Sequence, residues 1–456
     1  MLKLLVNNTI TKIEGKNDLL VSLGNQLYKI LAYEKPGARF SRAPEWLKYV
    51  RLYSKIDHTF PTGLLQKVVD FLKLNSHEFE IIDLRAPQKE EKSFYFNRLK
   101  KPLPLRPYQE EAIKALEKYP RGVVEAATGT GKSLMIEELI HRKGLKTLLI
   151  TPSSNILNIF EEKLIAMFGR RYVGLITGNK KNFDKPITIS TYQSLPKIPK
   201  EWFGGLQMII TDEAHHSAAA TLYELNINCF KDVYYRYGFS ATFFRNDSSE
   251  MSLQGVLSDV IYEYNYKQAI RDKYLCPVKF VVFDNHNENY DENWRMELRN
   301  GLTLNDEFNA KIGALARGFD KRSISTLIFV NEIEHGNRIQ ALVPGSRFIS
   351  GKELRAKNKK DLADFNDRKF NVLIGTSVIG EGVDTIPAQI GILASGFKAE
   401  SEVVQKIGRL LRVSPGKQQS TFIDFMNIGC KYLSRHCKKR IRIYEKYGSE
   451  IIHKSL

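Results

Sequence analysis

The stretch Ala126-Ala127-Thr128-Gly129-Thr130-Gly131-Lys132-Ser133 follows an apolar run ending near Val124 and precedes a helix expected over 134–142. Its turn carries two glycines and a lysine. Gly129 and Gly131 let successive backbone N–H groups curl around an anion, and the helix N-terminus behind them adds a favourable dipole. Lys132 supplies the positive charge that β- and γ-phosphates require, and the Ser133 hydroxyl suits Mg²⁺. This is the phosphate-loop pattern with Ala126 in place of its first glycine. A glycine-rich turn without a nucleotide is the plainer alternative; the order strand, loop, Lys-Ser, helix argues against it.

Outward from this loop the pattern of strand, turn and helix repeats. Residues 123–124, 147–150, 187–190, 208–210 and 237–239 are short apolar runs, each leading into a polar loop. Buried parallel strands read this way, and ligands sit beyond their carboxyl ends. A second cycle starts near 278–283 and includes 326–330, 371–374, 390–393 and 420–423, with the polar run 284–293 as a loop. The fold class is therefore α/β, with tandem parallel-sheet lobes over 101–275 and 276–456. Residues 1–100 form a small α+β domain, with strands expected at 2–6, 19–23 and 49–53 and a helix over 63–72. A polar linker, 86–93, closes it.

Composition sets the outer limits. A chain of 456 residues has room for about three domains of roughly 150 residues. No apolar run approaches the roughly 18–20 residues needed to cross a bilayer, and the start MLKLLVNNTI turns polar too soon for a signal peptide. A cytoplasmic protein without a membrane partner is expected. The four cysteines lack a zinc spacing and read as incidental thiols of a reducing compartment. A balance of 69 Lys+Arg against 51 Asp+Glu, formally +18, attracts polyanions.

A second chemical pair stands about 80 residues beyond the phosphate loop. Asp212-Glu213 follows the apolar run 208–210. There Asp212 can hold Mg²⁺, and Glu213 can orient and deprotonate an attacking water.

With Leu105-Arg106-Pro107-Tyr108-Gln109, Ser240-Ala241-Thr242, Gly375-Thr376, Gly382-Val383-Asp384 and Gln405-x-x-Gly408-Arg409-x-x-Arg412, these motifs follow one order. In that order the chain resembles the superfamily 2 helicases over about 105–425. The resemblance implies two RecA-like lobes that use ATP and Mg²⁺, with Gln109 and Arg106 at the base and Thr128 to Ser133 on the phosphates. It implies His215, Ser240 and Thr242 as coupling residues, and Gly382 and Asp384 at the nucleotide from the second lobe. Gln405, Arg409 and Arg412 would complete catalysis. Arg409 and Arg412, three apart, are expected on one helical face, where an arginine finger contributes about 10³–10⁵ in rate.

For the nucleic acid, Thr151-Pro152-Ser153, Thr191 and Gln193, Arg245, Asn331 and Thr376 resemble the family's strand-binding positions, although capping by Ser, Thr and Asn competes as an explanation. Near the C-terminus Lys431, Arg435, Lys438, Arg442 and Lys446 form one basic stripe, opposite Leu433, Cys437, Ile441 and Tyr444. Within the superfamily the chain most resembles the phage UvsW-type branch-migration helicases, and more distantly the XPB and RecG types. Ser240 to Arg245 and Lys438 to Tyr444 carry that likeness. It implies a monomeric motor acting on branched or duplex DNA (forks, Holliday junctions, D-loops or R-loops) beside other replication or recombination proteins. A duplex translocase or RNA helicase without branch specificity stays open, as does a non-catalytic nucleic-acid-binding protein.

Overall fold

The computed structural model describes residues 1–35, 38, 42–85, 93–96, 98–99, 103–178, 182, 184–214, 219–242, 250–286, 293–351, 355–376, 379, 385, 387–397, 399–447 and 450–455. The chain divides into two compact units, 1–126 with 131–264 and 127–130 with 265–456. The division falls at Tyr264/Asn265, earlier than the 275/276 boundary expected from the sequence, because the edge strand Val260–Tyr264 completes the first lobe's sheet.

The first unit opens with a small α+β domain. Strands β1 (Leu2–Val6), β2 (Ile10–Glu14), β5 (Thr59–Pro61) and β6 (Phe79–Asp83) form a mixed sheet in the order β5-β2-β1-β6. β3 (Ala32–Glu34) and β4 (Tyr49–Arg51) form a separate antiparallel ribbon. The expected strand at 19–23 is instead part of the helix Asn17–Ile30. Its buried residues Leu20, Leu23, Gly24 and Leu27 repeat every three to four positions, a helical face that a five-residue apolar run conceals. That helix and the helix Leu65–Leu74 cover one face of the sheet with Leu23, Leu27, Val68 and Leu72.

This domain is docked tightly within its unit. A Cβ on Gly63 would stand 2.0 Å from the Gln254 carbonyl oxygen, so the close approach to the helix Glu250–Leu257 requires glycine. The Tyr33 hydroxyl meets Ser252 Oγ at 2.7 Å in a buried contact, and the Arg121 guanidinium donates to the Asn8 carbonyl at 3.0 Å.

β7 (Arg121–Ala126), β8 (Thr147–Thr151), β9 (Val173–Ile176), β10 (Ile187–Thr191), β11 (Met208–Asp212), β12 (Tyr235–Ser240) and β13 (Val260–Tyr264) build an all-parallel sheet ordered β13-β7-β12-β11-β8-β10-β9. Sequence reading missed β9 and β13. The β7, β8, β10 and β11 strands are almost wholly buried, as apolar runs enclosed by helices should be.

In the second unit β14 (Val278–His286), β15 (Thr326–Phe329), β16 (Arg347–Ile349), β17 (Val372–Gly375), β18 (Ile390–Leu393), β19 (Ser420–Ile428) and β20 (Ile451–Ser455) are again all parallel, in the order β16-β17-β15-β18-β19-β14-β20. Ile328, Ile374, Ile392 and Phe425 centre its core. β14 runs through His286, so residues 284–286 of the expected loop are strand, and 287–292 lie outside the described residues. Among the described residues no helix is long and apolar enough to cross a membrane.

Candidate active site

Three signature segments leave the carboxyl edge of the first parallel sheet side by side. β7 leads to the phosphate loop, β12 beside it ends at Ser240, and β11 beside that ends at Asp212. Register aligns them: Ser240 stands opposite Glu125, and Asp212 opposite Phe239. Residues 115 positions apart in the chain are thereby brought to one edge.

Gly129 and Gly131 have φ of 90° and 84°, the left-handed region, and the helix Lys132–Lys143 starts immediately after them. A Cβ at Gly131 would come 2.5 Å from Gln109 Nε2. The Gln109 amide is held there because its Oε1 accepts from the Arg106 backbone N–H at 2.9 Å and caps the helix Pro107–Lys118. The Arg106 guanidinium reaches the Tyr108 hydroxyl at 3.3 Å, and Tyr108 stacks on Tyr264 with centroids 3.9 Å apart. Thr130 Oγ1 donates to the Ala127 carbonyl and tightens the turn.

Lys132 is buried. Its ammonium donates to the Ala126 carbonyl at 3.1 Å and lies 3.7 Å from a Glu213 carboxylate oxygen. Glu213 has φ of 46°, a strained conformation for this residue type, of the kind that functional sites hold in place. Burial, and then the neighbouring Glu213 charge, push Asp212 up to about 7. A cation beside Asp212 would reverse that logic, since a buried carboxylate ionises readily only against positive charge. The glycine-lined cradle, the Lys132 ammonium, the half-buried Ser133 hydroxyl and the buried Asp212 carboxylate fit a nucleoside triphosphate with one divalent ion. On the β12 loop, Ser240 Oγ donates to the Thr242 carbonyl at 2.7 Å and accepts from the Thr242 N–H, closing a compact turn.

The strand-contact candidates of this lobe sit at the same edge, but most of their hydroxyls serve the protein. Thr151 Oγ1 is directed to the carbonyls of Ser153 and Ser190. Ser153, next to Pro152, caps the helix Ser154–Phe168, and Thr191 Oγ1 meets Ser194 Oγ at 3.1 Å. Gln193 is exposed. His215, Arg245, Gly382 and Asp384 lie outside the described residues.

In the second unit Asn331 follows β15 and Thr376 follows β17, both at that sheet's carboxyl edge. Gln405 is half-buried in the helix Glu400–Gly408. The expectation that Arg409 and Arg412 share a helical face is corrected: the helix ends at Gly408, and Arg412 lies in an extended bridge to Leu275. The reason is visible in the carbonyls of this segment. Arg409 O accepts from Thr385 Oγ1, Leu410 O from Lys417 Nζ and Ser420 Oγ, Leu411 O from the Cys276 N–H, and Arg412 O from Lys417 Nζ. Partners from four other positions thus replace the helical bonds. Burial depresses the Lys417 ammonium to about 8. No sequence signal marked Lys417 or Thr385; a lysine after a Pro-Gly turn reads as solvent.

The C-terminal helix Lys431–Lys446 matches its two-faced reading. Lys431, Arg435, Lys438, Arg442 and Lys446 are exposed, while Leu433, Cys437 and Tyr444 are buried and Ile441 is half-buried. Two buried acids missed from the sequence anchor it. The Glu297 carboxylate, fully buried, accepts from the backbone N–H groups of Lys431, Tyr432 and Leu433 at 2.7–3.0 Å. Asp424 accepts two bonds from Arg440 at 2.8 Å and one from the Tyr444 hydroxyl at 2.7 Å.

The family model for the type III restriction enzyme, res subunit, matches residues 102–245, and that for the helicase conserved C-terminal domain matches 310–414. The ATP-dependent DNA helicase uvsW of Enterobacteria phage T4 is 23% identical over 91% of this chain and 89% of its own length. The DNA 3'-5' translocase XPB2 of Sulfurisphaera tokodaii is 23% identical over 70% of this chain and 81% of its own. The solved structure of the ATP-dependent Type ISP restriction-modification enzyme LlaBIII bound to DNA shares the fold, with a TM-score of 0.59 and 16% identity over 78% of this chain and 32% of that one. The first matched segment carries the phosphate loop and Asp212-Glu213, the second carries Gln405 to Arg412, and the chain belongs to the superfamily 2 helicases.

Proposed function

We propose that this protein is an ATP-dependent DNA helicase that remodels branched DNA, migrating or unwinding forks, Holliday junctions, D-loops or R-loops. Bound ATP and Mg²⁺ would supply the phosphoanhydride and the charge that organises it. Lys132 and the backbone of Gly129 to Gly131 would hold the phosphates, Ser133 and Asp212 the ion, and Gln109 the base. Glu213 would take the proton of the attacking water, and Arg409 and Arg412 would offset the charge that develops on the transferred group.

The observation that carries the nucleic-acid half of this reading is the C-terminal helix. It keeps Lys431, Arg435, Lys438, Lys439, Arg442 and Lys446 exposed, while Asp424 of β19 holds its inner face and Glu297, on the helix Trp294–Leu298, holds its N-terminus. A cationic row fixed on a rigid element suits a phosphate backbone, because its register does not depend on loop ordering. The likeness to the phage T4 DNA helicase covers 91% of this chain and so reaches into the N-terminal domain, which supports DNA as the substrate; the resemblance to the branch-migration helicases makes branched DNA the favoured form. The likeness to a DNA 3'-5' translocase bears on a second reading, in which the motor translocates along DNA.

ATP hydrolysis measured with a Holliday junction, a fork, blunt duplex, single strand and RNA tests the proposal. Stimulation that is strongest on the branched substrates, together with strand displacement lost in Glu213→Gln, is the expected result. Equal stimulation by blunt duplex would favour the translocase, and a preference for RNA would overturn both.

A further inference from the structure

The β3–β4 ribbon of the N-terminal domain carries none of the motifs discussed above, yet it concentrates two kinds of side chain. The short helix Glu45–Lys48 precedes β4 and presents Trp46 with 70% of its surface exposed, and Leu47 beside it is 41% exposed. Two adjoining exposed apolar side chains form the start of a patch rather than an isolated exposure. Trp46, Tyr49, Arg51, Lys29, Ala32 and Glu45 line an open, shallow cleft of about 530 Å³.

The cations of this patch are held in place. The Arg51 guanidinium lies 4.2 Å from the centroid of Tyr28 and 5.4 Å from that of Tyr49, and it donates to the Tyr28 carbonyl at 3.1 Å. The Lys55 ammonium lies 4.3 Å from the Tyr28 centroid and donates to Asn25 Oδ1 at 2.7 Å. The open ring of Trp46 beside a guanidinium fixed over Tyr28 matches an unstacked base and its phosphate: the Trp46 ring accepts the base, and the cation accepts the backbone. Duplex offers its phosphates here but keeps its bases stacked.

We infer that the Trp46–Tyr49–Arg51 cleft is a cradle for single-stranded DNA, in which Trp46 stacks on a flipped-out base and Arg51 and Lys29 hold the adjoining phosphates. The inference rests on the DNA reading above and names the strand that the N-terminal domain takes. Because this domain docks through Gly63 and Tyr33 into the unit that carries the phosphate loop strand, a strand held here is fixed relative to the nucleotide-binding sheet. A motor that parts two strands needs such a hold on one of them.

The test uses the full chain without nucleotide and fluorescence anisotropy with three ligands: an oligo-dT single strand, an abasic strand of equal length, and blunt duplex. Base stacking of about 1–3 kcal/mol predicts that Trp46→Ala weakens oligo-dT binding by about five- to 150-fold. Duplex and abasic affinities should not change, and Trp46→Phe should recover most of the loss. Trp46 is exposed, so an unchanged melting profile is expected and separates this effect from misfolding. Oligo-dT affinity in Trp46→Ala equal to wild type, or an equal loss on all three ligands, would overturn the cradle. Failure of any DNA to stimulate wild-type hydrolysis would instead remove the motor reading. Normal duplex-stimulated hydrolysis with unaltered strand affinity in Trp46→Ala removes the cradle alone.

Discussion

Replacing Asp424 by asparagine should destabilise the second unit and release its basic helix. The Asp424–Arg440 pair is almost sealed from water, with side-chain exposures of 1% and 2%. Asp424 accepts from Arg440 Nε and Nη2, and Arg440 Nη1 goes on to the Phe397 carbonyl at 2.7 Å. Burial and then the Asp424 charge hold the Tyr444 phenol well above its ordinary range, so it remains a donor to this carboxylate. Burial alone would depress Arg440, and the Asp424 charge more than reverses that. Removing the charge leaves a buried guanidinium uncompensated, which costs about 3–5 kcal/mol, more than half of a marginal domain's stability.

Asp424→Leu combined with Arg440→Met removes both charges, and its cost should be much smaller than the sum of the singles. Urea unfolding followed by far-ultraviolet circular dichroism reads both quantities, and a chain of two units can show two transitions, only one of which should move. The Arg440 and His436 bonds to the carbonyls of Phe397 and Gly396 lead towards the helix that carries Gln405. Asp424→Asn should therefore also lower DNA-stimulated hydrolysis at temperatures below unfolding. A cost under about 1 kcal/mol, or strict additivity in the double variant, would refute the reasoning.

The other predictions concern chemistry and charge. Glu213→Gln should abolish turnover yet retain nucleotide binding, because Lys132 and Asp212 are untouched; hydrolysis near the wild-type rate would exclude Glu213 as the base. Arg409→Ala and Arg412→Ala should each cut the hydrolysis rate by about 10³-fold with little change in nucleotide affinity. Lys417→Met should reproduce part of that loss by freeing the Leu410 and Arg412 carbonyls, and full activity in all three variants would refute the assignment. Reversing Arg435, Lys438 and Arg442 to glutamate should weaken duplex binding and flatten its salt dependence, about one unit of slope per lost phosphate contact. An unchanged slope would make the ridge a solvated face. Burial holds His335 at about 4, where it bonds Asn309 Oδ1 at 2.8 Å. Its folded value lies below the unfolded 6.5, so its neutral form contributes stability fully above pH 6.5, and about 3 kcal/mol is lost as pH falls from 6.5 to 4. His335→Gln should flatten stability over that interval, and an unaltered pH profile would exclude His335 as its source.

Local chemistry made the candidate nucleotide site legible from sequence. Gly129, Gly131, Lys132, Ser133 and the Asp212-Glu213 pair are short patterns whose residue types are dictated by phosphate and water, and each follows an apolar run that reads as a buried strand. Two parallel lobes followed from the same runs, and so did the two-faced C-terminal helix, since periodicity is written along the chain. What needed tertiary structure was every feature set by partners distant in sequence. The segment 19–23 is helical because Leu20, Leu23 and Leu27 face one core, and edge strands such as β9, β13, β16 and β20 exist through their neighbours' hydrogen bonds. Arg412 leaves the helix because Leu275, Cys276, Thr385, Lys417 and Ser420 compete for its segment's backbone. Glu297 and Asp424 are ordinary acids in sequence; only folding buries them against a helix terminus and an arginine, where the low dielectric makes each decisive.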